Sequence, residues 1–165
     1  PCFPPFLLVD VSSGSERRAG SSYQNPREAS FVSAFLARLV ASGMRSGRGS
    51  GVVRVGVITP YRGQVHCIQQ ELSGGGGGRR LKGGVSTVDG FQGKEVDVVL
   101  FSCVRAPSYG GGGGGGIGFL ADQRRMNVAL TRARRSLIVL GNVGRLSSDG
   151  TWKALVDHSK SCERL

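Results

Sequence analysis

The sequence lacks the features that define several common classes of protein. No apolar run approaches the ~18 residues that a membrane-spanning helix needs, and no signal-peptide layout is recognisable. The cysteines are few and far apart, without a CxxC pair, so neither a disulfide framework nor a zinc site is supported. We expect Cys67 and Cys103, which lie among apolar residues, to be buried thiols. Because the chain opens without methionine, we expect a piece of a longer, intracellular protein.

Acidic residues are scarce relative to basic ones. The 165 residues contain 11 Asp and Glu against 22 Lys and Arg, which gives a formal net charge of +11. This balance favours a polyanionic partner, whether nucleic acid, a nucleotide or an acidic membrane surface. The length suits one domain with a substantial core.

A phosphate-binding loop of the type GxxxxGK followed by Ser or Thr is also missing. Gly93-Lys94 is followed by Glu95, and position 88, where the upstream glycine would stand, is valine. No Asp-Glu pair follows a predicted strand to hold magnesium. We therefore predict that this chain alone does not hydrolyse ATP. The polyglycine tracts at 74–78 and 110–116 are interpreted as flexible loop insertions.

What the sequence does contain is an alternation of apolar runs and helical periodicity. Strands are predicted at 6–11, 54–59, 85–88, 96–104 and 136–141. Helices are predicted at 26–41, at 61–72, from 122 onward and at 152–159. Residues 12–24 are predicted to be a loop, 42–51 a linker and 89–95 a turn. The strands are too continuously apolar for one-sided sheets, which indicates a parallel sheet with helices on both faces. Ligands of such sheets bind beyond the carboxyl ends of the strands, so we expect the functional loops to gather at that edge.

The first helix carries a clear start signal. Asn25 is a predicted N-cap, Pro26 suits the first helical position, and Glu28 in the first turn favours the helix dipole. The apolar residues expected to face inward are Phe31, Ala34, Phe35 and Leu39.

The stretch DQRRMNVALTRARRSLIVLGN, residues 122–142, is rich in arginine. Helical spacing from an Asp122 N-cap predicts one buried stripe, made of Met126, Ala129, Leu130 and Ala133. On this helix Arg125 and Arg132 would lie two turns apart, ~10 Å at ~1.5 Å rise per residue. Rigidly held arginines suit phosphate recognition, although a solvated basic helix is the simpler alternative.

Two further loops have possible ligand-binding chemistry. In TVDGFQGKEVD, the glycines allow close backbone approach while Gln92 and Glu95 supply an amide and a carboxylate; Thr87 and the loop amides suit a nucleic-acid phosphate. An ordinary strand–turn–strand is the alternative. In TPYRGQ, a helix N-terminus follows a strand and Tyr61 can stack on a base, but Pro60 is also simply a good first helical residue.

The combination of NPREA, VGVITPYRGQ, VSTVDGFQGKEVDVVLFSCVRA and GIGFLADQRRMNVALTRARRSLIVLGN, in this order, resembles the second RecA-like domain of superfamily 1 helicases. The branch is that of the regulator of nonsense transcripts, the immunoglobulin mu-binding helicase and senataxin. DGFQGKE, FSCVRA and DQRRMNVALTRA resemble the senataxin-type members most closely. The resemblance implies a three-layer RecA-like α/β domain over residues 1–165, of the P-loop NTPase superfamily but without its own Walker A motif.

The resemblance also implies an ATP-driven 5′→3′ helicase, with ATP and Mg²⁺ between two RecA-like domains and the metal held by the first. Carried over by motif, Gln92, Gly93 and Glu95 correspond to the loop that touches the ribose and phosphates of the nucleotide. Arg132 corresponds to the arginine that reaches the γ-phosphate, supported by Arg125. The nucleic-acid backbone would be gripped by Thr59, Pro60, Tyr61, Thr87 and Asp89.

The partners implied are single-stranded RNA or DNA, or their hybrid, and the first RecA-like domain of the same chain, with no membrane and no sign of a homo-oligomer. That first domain and a QYRMHP-like segment expected shortly before Pro1 are not in the sequence. The resemblance to senataxin favours a nuclear location, with the cytoplasm as the alternative. The competing hypothesis is a nucleic-acid-binding module that uses the same basic surface without ATP coupling.

Overall fold

The computed structural model describes residues 3–42, 53–74, 83–107 and 116–162. The predicted linker at 42–51 and the polyglycine insertions at 74–78 and 110–116 lie almost wholly outside these ranges. The elements in chain order are β1 (Phe6–Asp10), β2 (Arg17–Ala19), β3 (Ser22–Gln24), α1 (Pro26–Ala41), β4 (Val55–Thr59), α2 (Arg62–Gly74), β5 (Val85–Thr87), a 3₁₀ turn (Asp89–Phe91), β6 (Val96–Ser102), a 3₁₀ turn (Gly118–Ala121), α3 (Gln123–Leu130), β7 (Ala133–Gly141), α4 (Val143–Leu146) and α5 (Gly150–Ser161).

Five strands form one parallel sheet in the order β1-β7-β6-β4-β5. Side chains alternate between its two faces, as the pleat of a strand requires. Along β6, Val98 and Leu100 pack against α1 and α2, whereas Val99 and Phe101 pack against α3 and α5. The predicted parallel sheet with helices on both faces is confirmed, and the fold is a three-layer RecA-like α/β domain.

Helix α1 begins as predicted. The Asn25 side chain accepts a hydrogen bond from the Glu28 amide, and Pro26 occupies the first turn. The inward face is only partly as expected, because the helix turns Val32 and Leu36 into the core while Ala34 is exposed and Phe31 is half-buried. The large rings of α1 instead cover the rim of the core: the Phe31 and Phe35 centroids are 6.3 Å apart.

Two predictions about element boundaries were wrong. The predicted loop at 12–24 contains a two-stranded antiparallel hairpin, β2 and β3, which packs on α2 through a hydrogen bond from the Gly63 amide to Ser22 Oγ at 3.0 Å. Helix α3 ends at Leu130, where Thr131 Oγ1 donates back to the Asn127 carbonyl, so Ala133 begins β7 rather than extending the helical stripe. Met126 and Ala129 of that stripe are buried as predicted.

The C-terminal helix α5 closes the sheet face that carries α3. Its N-cap Asp149 accepts from the Thr151 and Trp152 amides, and Trp152 Nε1 donates to the Leu120 carbonyl at 2.8 Å. Within the described ranges no helix is long and apolar enough to cross a membrane. The same ranges contain no group of three His, Cys, Asp or Glu side chains that could hold a metal ion.

Candidate functional site

The carboxyl ends of β4 and β5 lie side by side and carry three of the predicted ligand-binding residues. Thr59 and Thr87 are paired in register, and the Val88 amide donates to the Thr59 carbonyl at 3.2 Å. Asp89 follows at once in the 3₁₀ turn, where its side chain is 71 % exposed. This part of the sheet edge is assembled as parallel topology predicts.

The loop after Asp89 is anchored in the core by one side chain, while the residues that follow it are exposed to solvent. Phe91 is fully buried in the core and so anchors the turn to the sheet. Gln92, Gly93 and Glu95 are all exposed, and Gly93 has φ of 75°, a conformation that favours glycine. The result is a fixed turn that presents an amide and backbone groups to solvent.

Helix α3 brings Arg125 to this turn. Asp122 caps the helix by accepting from the Arg124 and Arg125 amides. The Arg125 Nε lies 3.5 Å from Asp89 Oδ1 and 3.7 Å from Asp122 Oδ2, and its guanidinium stands 5.4 Å from the centroid of the Phe119 ring. Asp89 and Arg125, which belong to two separate motifs and stand 36 positions apart in the sequence, therefore meet here.

Between the turn and α3 is a cavity of about 170 Å³. Its walls are Val88, Asp89, Gln92, Arg124, Arg125 and Val128. A larger cavity of about 390 Å³ lies between α3 and α5, but no arginine or lysine lines it, and its lining is mostly apolar. Phosphate recognition requires positive charge, so the smaller cavity is the better candidate for an anionic ligand.

Arg132 adjoins this cavity without lining it. Because α3 ends at Leu130, Arg132 lies past the helix, and the predicted arrangement of Arg125 and Arg132 on one helical edge was wrong. Arg132 Nε donates to the carbonyl of Val128, a cavity residue, at 2.8 Å, and one of its terminal nitrogens donates to Thr131 Oγ1 at 3.1 Å. Among the described residues no carboxylate lies within ion-pair distance of the Arg132 guanidinium.

The predicted functional residues do not all gather at one edge of the sheet. Glu95 and Arg132 directly precede the paired first residues of β6 and β7, Val96 and Ala133, so both lie at the amino edge. Glu95 Oε2 there forms an ion pair with Arg134 Nε at 3.0 Å. Helix α3 runs from the carboxyl edge, where Arg125 meets Asp89, toward the amino edge, where Arg132 lies.

The structure places Thr59 and Tyr61 differently from what base stacking or direct side-chain contact needs. Thr59 is fully buried, and the Tyr61 ring is 2 % exposed. The rings of Tyr23 and Phe119 pack on Tyr61 edge-on, each with its centroid 5.7 Å away. Burial also raises the pKa of Tyr61, against the opposing effect of the Arg105 guanidinium. The proposed stacking of Tyr61 on a base is therefore wrong for this conformation.

Comparison with known proteins agrees with these motifs. Residues 1–144 match a family model described as AAA domain. The chain is 39 % identical to the probable helicase DDB_G0274399 of Dictyostelium discoideum over 100 % of this chain and 16 % of the relative. It is 38 % identical to regulator of nonsense transcripts 1 of the same organism over 96 % of this chain and 11 % of the relative. The probable helicase senataxin of Homo sapiens is 37 % identical over 96 % of this chain and 6 % of its own length.

The chain belongs to the senataxin-like branch of superfamily 1 helicases. It spans between 6 % and 16 % of the length of the three relatives above.

Sequence reasoning missed two groups of buried polar residues in this helicase domain. Arg105 Nε lies 2.8 Å from Glu16 Oε2, and both side chains are almost fully buried. Glu28, predicted only to favour the helix dipole, is fully buried and accepts from Ser102 Oγ at 2.6 Å and from the Val104 amide. Burial raises the pKa of Glu28 to about 7, although these hydrogen bonds oppose the shift. The sequence signal that could have revealed the burial of Glu28 was a carboxylate at a helix position that is otherwise occupied by apolar residues.

The buried thiols of the helicase domain are as predicted. Cys67 and Cys103 are buried and free. Burial raises the pKa of both thiols, and it raises that of Cys103 strongly because this thiol is fully buried, with Glu28 adding a smaller contribution. A thiol with a raised pKa carries little thiolate near neutral pH, so neither is suited to nucleophilic chemistry.

Proposed function

We propose that this chain is the second RecA-like domain of an ATP-dependent 5′→3′ helicase acting on RNA or DNA. The observation that supports this most directly is the meeting of Asp89, Gln92 and Arg125 at one cavity, with Arg132 adjoining it through Val128. A nucleotide held by a first RecA-like domain would face this surface, and that domain would also hold Mg²⁺. The two domains together would complete the ATP site.

In this proposal Arg132 reaches the γ-phosphate across the cleft. Its present bonds are to a helix carbonyl and a threonine hydroxyl, which a phosphate can replace at little cost because a charge-assisted bidentate bond is stronger. The arginine would stabilise the charge that develops in phosphoryl transfer. Arg125 would support it from the cavity wall.

Gln92, Gly93 and Glu95 would contact the ribose and phosphates of the same nucleotide. All three are exposed on the anchored turn. Glu95 would exchange its exposed ion pair with Arg134 for the ligand, which costs little because such surface pairs contribute ~0–1 kcal/mol.

The nucleic-acid strand would run over the carboxyl edge at Thr59, Pro60, Tyr61, Thr87 and Asp89. Because Thr59 and Tyr61 are buried as whole residues, they would hold Pro60 between them in place rather than touch the strand themselves. Pro60 and Thr87 are half-buried and Asp89 is exposed, so these three can reach a ligand directly. Contacts to the phosphates of a strand position the nucleic acid without reading its sequence.

The alternative function is a nucleic-acid-binding module without ATP coupling. The net charge of +11 supports nucleic-acid binding under either proposal, so charge does not separate them. On the helicase proposal the 165-residue chain alone binds single strands weakly and in a salt-sensitive way and does not turn over ATP.

The test is ATPase activity, with and without single-stranded RNA, of a protein extended to include the first RecA-like domain. We expect RNA-stimulated turnover that falls ~10³-fold or more in Arg132→Ala, as for arginines that stabilise phosphoryl transfer, while RNA affinity changes little. Arg38→Ala, an exposed arginine of α1 on the opposite face of the sheet, is the matched control and should keep full turnover. RNA binding without any turnover in the unaltered protein would favour the binding module.

A further inference from the structure

Five residues in or next to α1, α2 and β6 form a buried polar cluster beneath the carboxyl edge of the sheet, Val104 through its peptide groups and the others through their side chains: Asn25, Glu28, Gln64, Ser102 and Val104. Asn25 Nδ2 donates to Glu28 Oε1 at 3.1 Å, and Ser102 Oγ donates to Glu28 Oε2 at 2.6 Å. Gln64 joins α2 to the cluster, since its Nε2 donates to Ser102 Oγ at 3.0 Å and its Oε1 accepts from the Asn25 amide at 2.7 Å. The cluster ties the N-terminus of α1, α2 and the end of β6 together.

At the centre of the cluster is a residue in an unfavourable conformation. Val104 has φ of 70°, and it is the one non-glycine residue with positive φ in the described part of the chain. A β-branched residue avoids this region, so the surrounding structure must hold it there. The Glu28 carboxylate accepts the Val104 amide at 3.0 and 3.1 Å, and Asn25 Nδ2 donates to the Val104 carbonyl at 3.2 Å. Both peptide groups of Val104 are thereby fixed.

The conformation of Val104 sets the direction in which the Arg105 side chain points. Arg105 turns inward to Glu16, and its guanidinium lies 4.6 Å from the centroid of the Tyr23 ring. The Arg105 guanidinium and the Tyr61 hydroxyl both reach Gly118, where a Cβ would stand 3.1 Å from Arg105 Nη1 and 2.8 Å from Tyr61 Oη. Arg105 therefore braces Tyr61 and the first residue of the 3₁₀ turn that leads into α3.

From this point the contacts continue to the cavity. Phe119 packs edge-on against Tyr61, and Arg125 stands over the Phe119 ring on its way to Asp89. A change at Val104 would thus move both the segment that ends in Tyr61 and the arginine side of the cavity.

We propose that Glu28 is a positioning residue that holds Val104 in its left-handed conformation and so keeps the segment from Thr59 to Tyr61 in place for a single-stranded nucleic acid. The proposal rests on the nucleic-acid grip proposed above. Glu28 itself does not touch the strand, because it is fully buried. Its effect passes through Val104 and Arg105.

The experiment measures binding of a fluorescently labelled oligouridine RNA to the 165-residue chain by fluorescence anisotropy. At about pH 8.5, above the Glu28 pKa of about 7, Glu28→Gln replaces one acceptor oxygen of the carboxylate by an amide NH₂ group that faces hydrogen-bond donors. The hold on Val104 is thereby weakened, and we expect affinity to fall about tenfold. Glycine adopts positive φ without strain, so Val104→Gly in the Glu28→Gln background should restore affinity to within about threefold. Glu71→Gln, an exposed carboxylate on α2, is the matched control and should bind like the unaltered chain.

Thermal unfolding of each variant separates positioning from a general loss of structure. Val104→Gly removes a fully buried side chain, so it should lower the melting temperature even where it restores affinity. If the role of Glu28 were purely structural, stability and affinity would fall and recover together. A lower melting temperature with restored affinity therefore supports positioning. If Glu28→Gln fails to fold, Ser102→Ala takes its place, with a smaller loss of affinity that Val104→Gly again reverses.

The outcomes separate this proposal from the proposed function. An unaltered chain that does not bind the RNA would count against the nucleic-acid grip itself. Binding by the unaltered chain that Glu28→Gln leaves unchanged would overturn the positioning role alone. A loss that Val104→Gly does not reverse would equally overturn it, since the effect would not pass through Val104.

Discussion

The buried polar cluster and the exposed arginine surface, made of Arg124, Arg125, Arg132, Arg134 and Arg135, hold their polar groups in opposite ways. In the cluster, one carboxylate accepts hydrogen bonds from two side chains and a backbone amide at 2.6 to 3.1 Å, away from water. On the arginine surface, the ion pairs are 3.0 to 3.7 Å long, and their arginines are about half exposed. The first region is fixed, whereas the second can be rearranged by a ligand.

The difference follows from what each arrangement costs to break. Leaving a buried polar group without a partner costs ~1–3 kcal/mol, but an exposed ion pair contributes only ~0–1 kcal/mol. A nucleotide or a phosphate can therefore recruit Arg125 or Arg132 without disturbing the fold. The cluster is suited to hold the backbone from which those arginines project.

The largest expected effect is on stability when the cluster loses its carboxylate. Glu28→Ala leaves Ser102 Oγ, the Val104 amide and Asn25 Nδ2 without their acceptor, and we expect the free energy of unfolding to fall by about 3 kcal/mol at pH 7. Glu71→Ala, at an exposed position, should change it by less than ~0.5 kcal/mol. Urea denaturation monitored by circular dichroism measures both. Equal losses from the two variants would mean that the buried carboxylate contributes no more to stability than an exposed one.

The second effect is the pH dependence that Glu28 imposes on stability. Burial raises its pKa in the folded chain to about 7 from its ordinary value of 4.5, so the folded state binds the proton more tightly than the unfolded state. The stability that this group contributes is complete below the unfolded pKa and is lost as pH rises through 7. The other members of the cluster are uncharged, and the neighbouring Cys103 thiol titrates far above this window.

We expect the stability of the unaltered chain, relative to Glu28→Gln, to fall by about 2 kcal/mol between pH 5 and pH 7.5, at up to ~1.4 kcal/mol per pH unit. Urea denaturation of both proteins at several pH values gives the difference directly. A difference that is flat with pH would show that folding leaves the pKa of Glu28 unshifted, and one that rises with pH would show that folding lowers it.

The same contrast explains how much could be predicted from the sequence. Buried strands, the Asn25 and Asp122 caps and the motif loops are local signals, and each was predicted close to its observed place. The start of β7 was not, because Arg134 and Arg135 belong to a part of the strand that pairs with β6 alone and lies outside the core. The hairpin of β2 and β3 has strands of three residues, too short for a period to be seen.

The buried polar cluster is the part of the site that sequence patterns could not supply. Glu28 and the Val104 amide that it binds are separated by 76 residues, and Asn25 and Gln64 by 39. Such pairs are decided by how the helices pack on the sheet, which no local period encodes. The meeting of Asp89 and Arg125 is also long-range, but here two recognisable motifs marked both ends.

A third and smaller effect concerns salt. On the alternative function, a nucleic-acid-binding module without ATP coupling, Arg125 would contact a strand phosphate, and Arg125→Gln should reduce the slope of log affinity against log salt concentration by ~0.7 for a single strand. On the helicase proposal Arg125 faces the nucleotide instead, so the same change should leave the slope as it is. Arg38→Gln, on the opposite face of the sheet, should leave the slope unchanged. Anisotropy titrations with oligouridine RNA at several salt concentrations measure this. Equal reductions from both variants would indicate diffuse attraction by net charge rather than a contact at the cavity.

The smallest expected effect is at the amino edge, where Arg134 and Glu95 form an ion pair with both side chains about half exposed. A double-mutant cycle with Arg134→Gln and Glu95→Gln should give a coupling energy below ~0.5 kcal/mol, because solvent screens the pair. In the extended protein, Arg134→Gln should leave RNA-stimulated turnover intact, since it only frees Glu95. A coupling energy above ~2 kcal/mol, the size expected of a desolvated pair, would mean that Glu95 is committed to the fold. Glu95 would then be withdrawn from the nucleotide contacts proposed for it, and Gln92 and Gly93 would have to supply them alone.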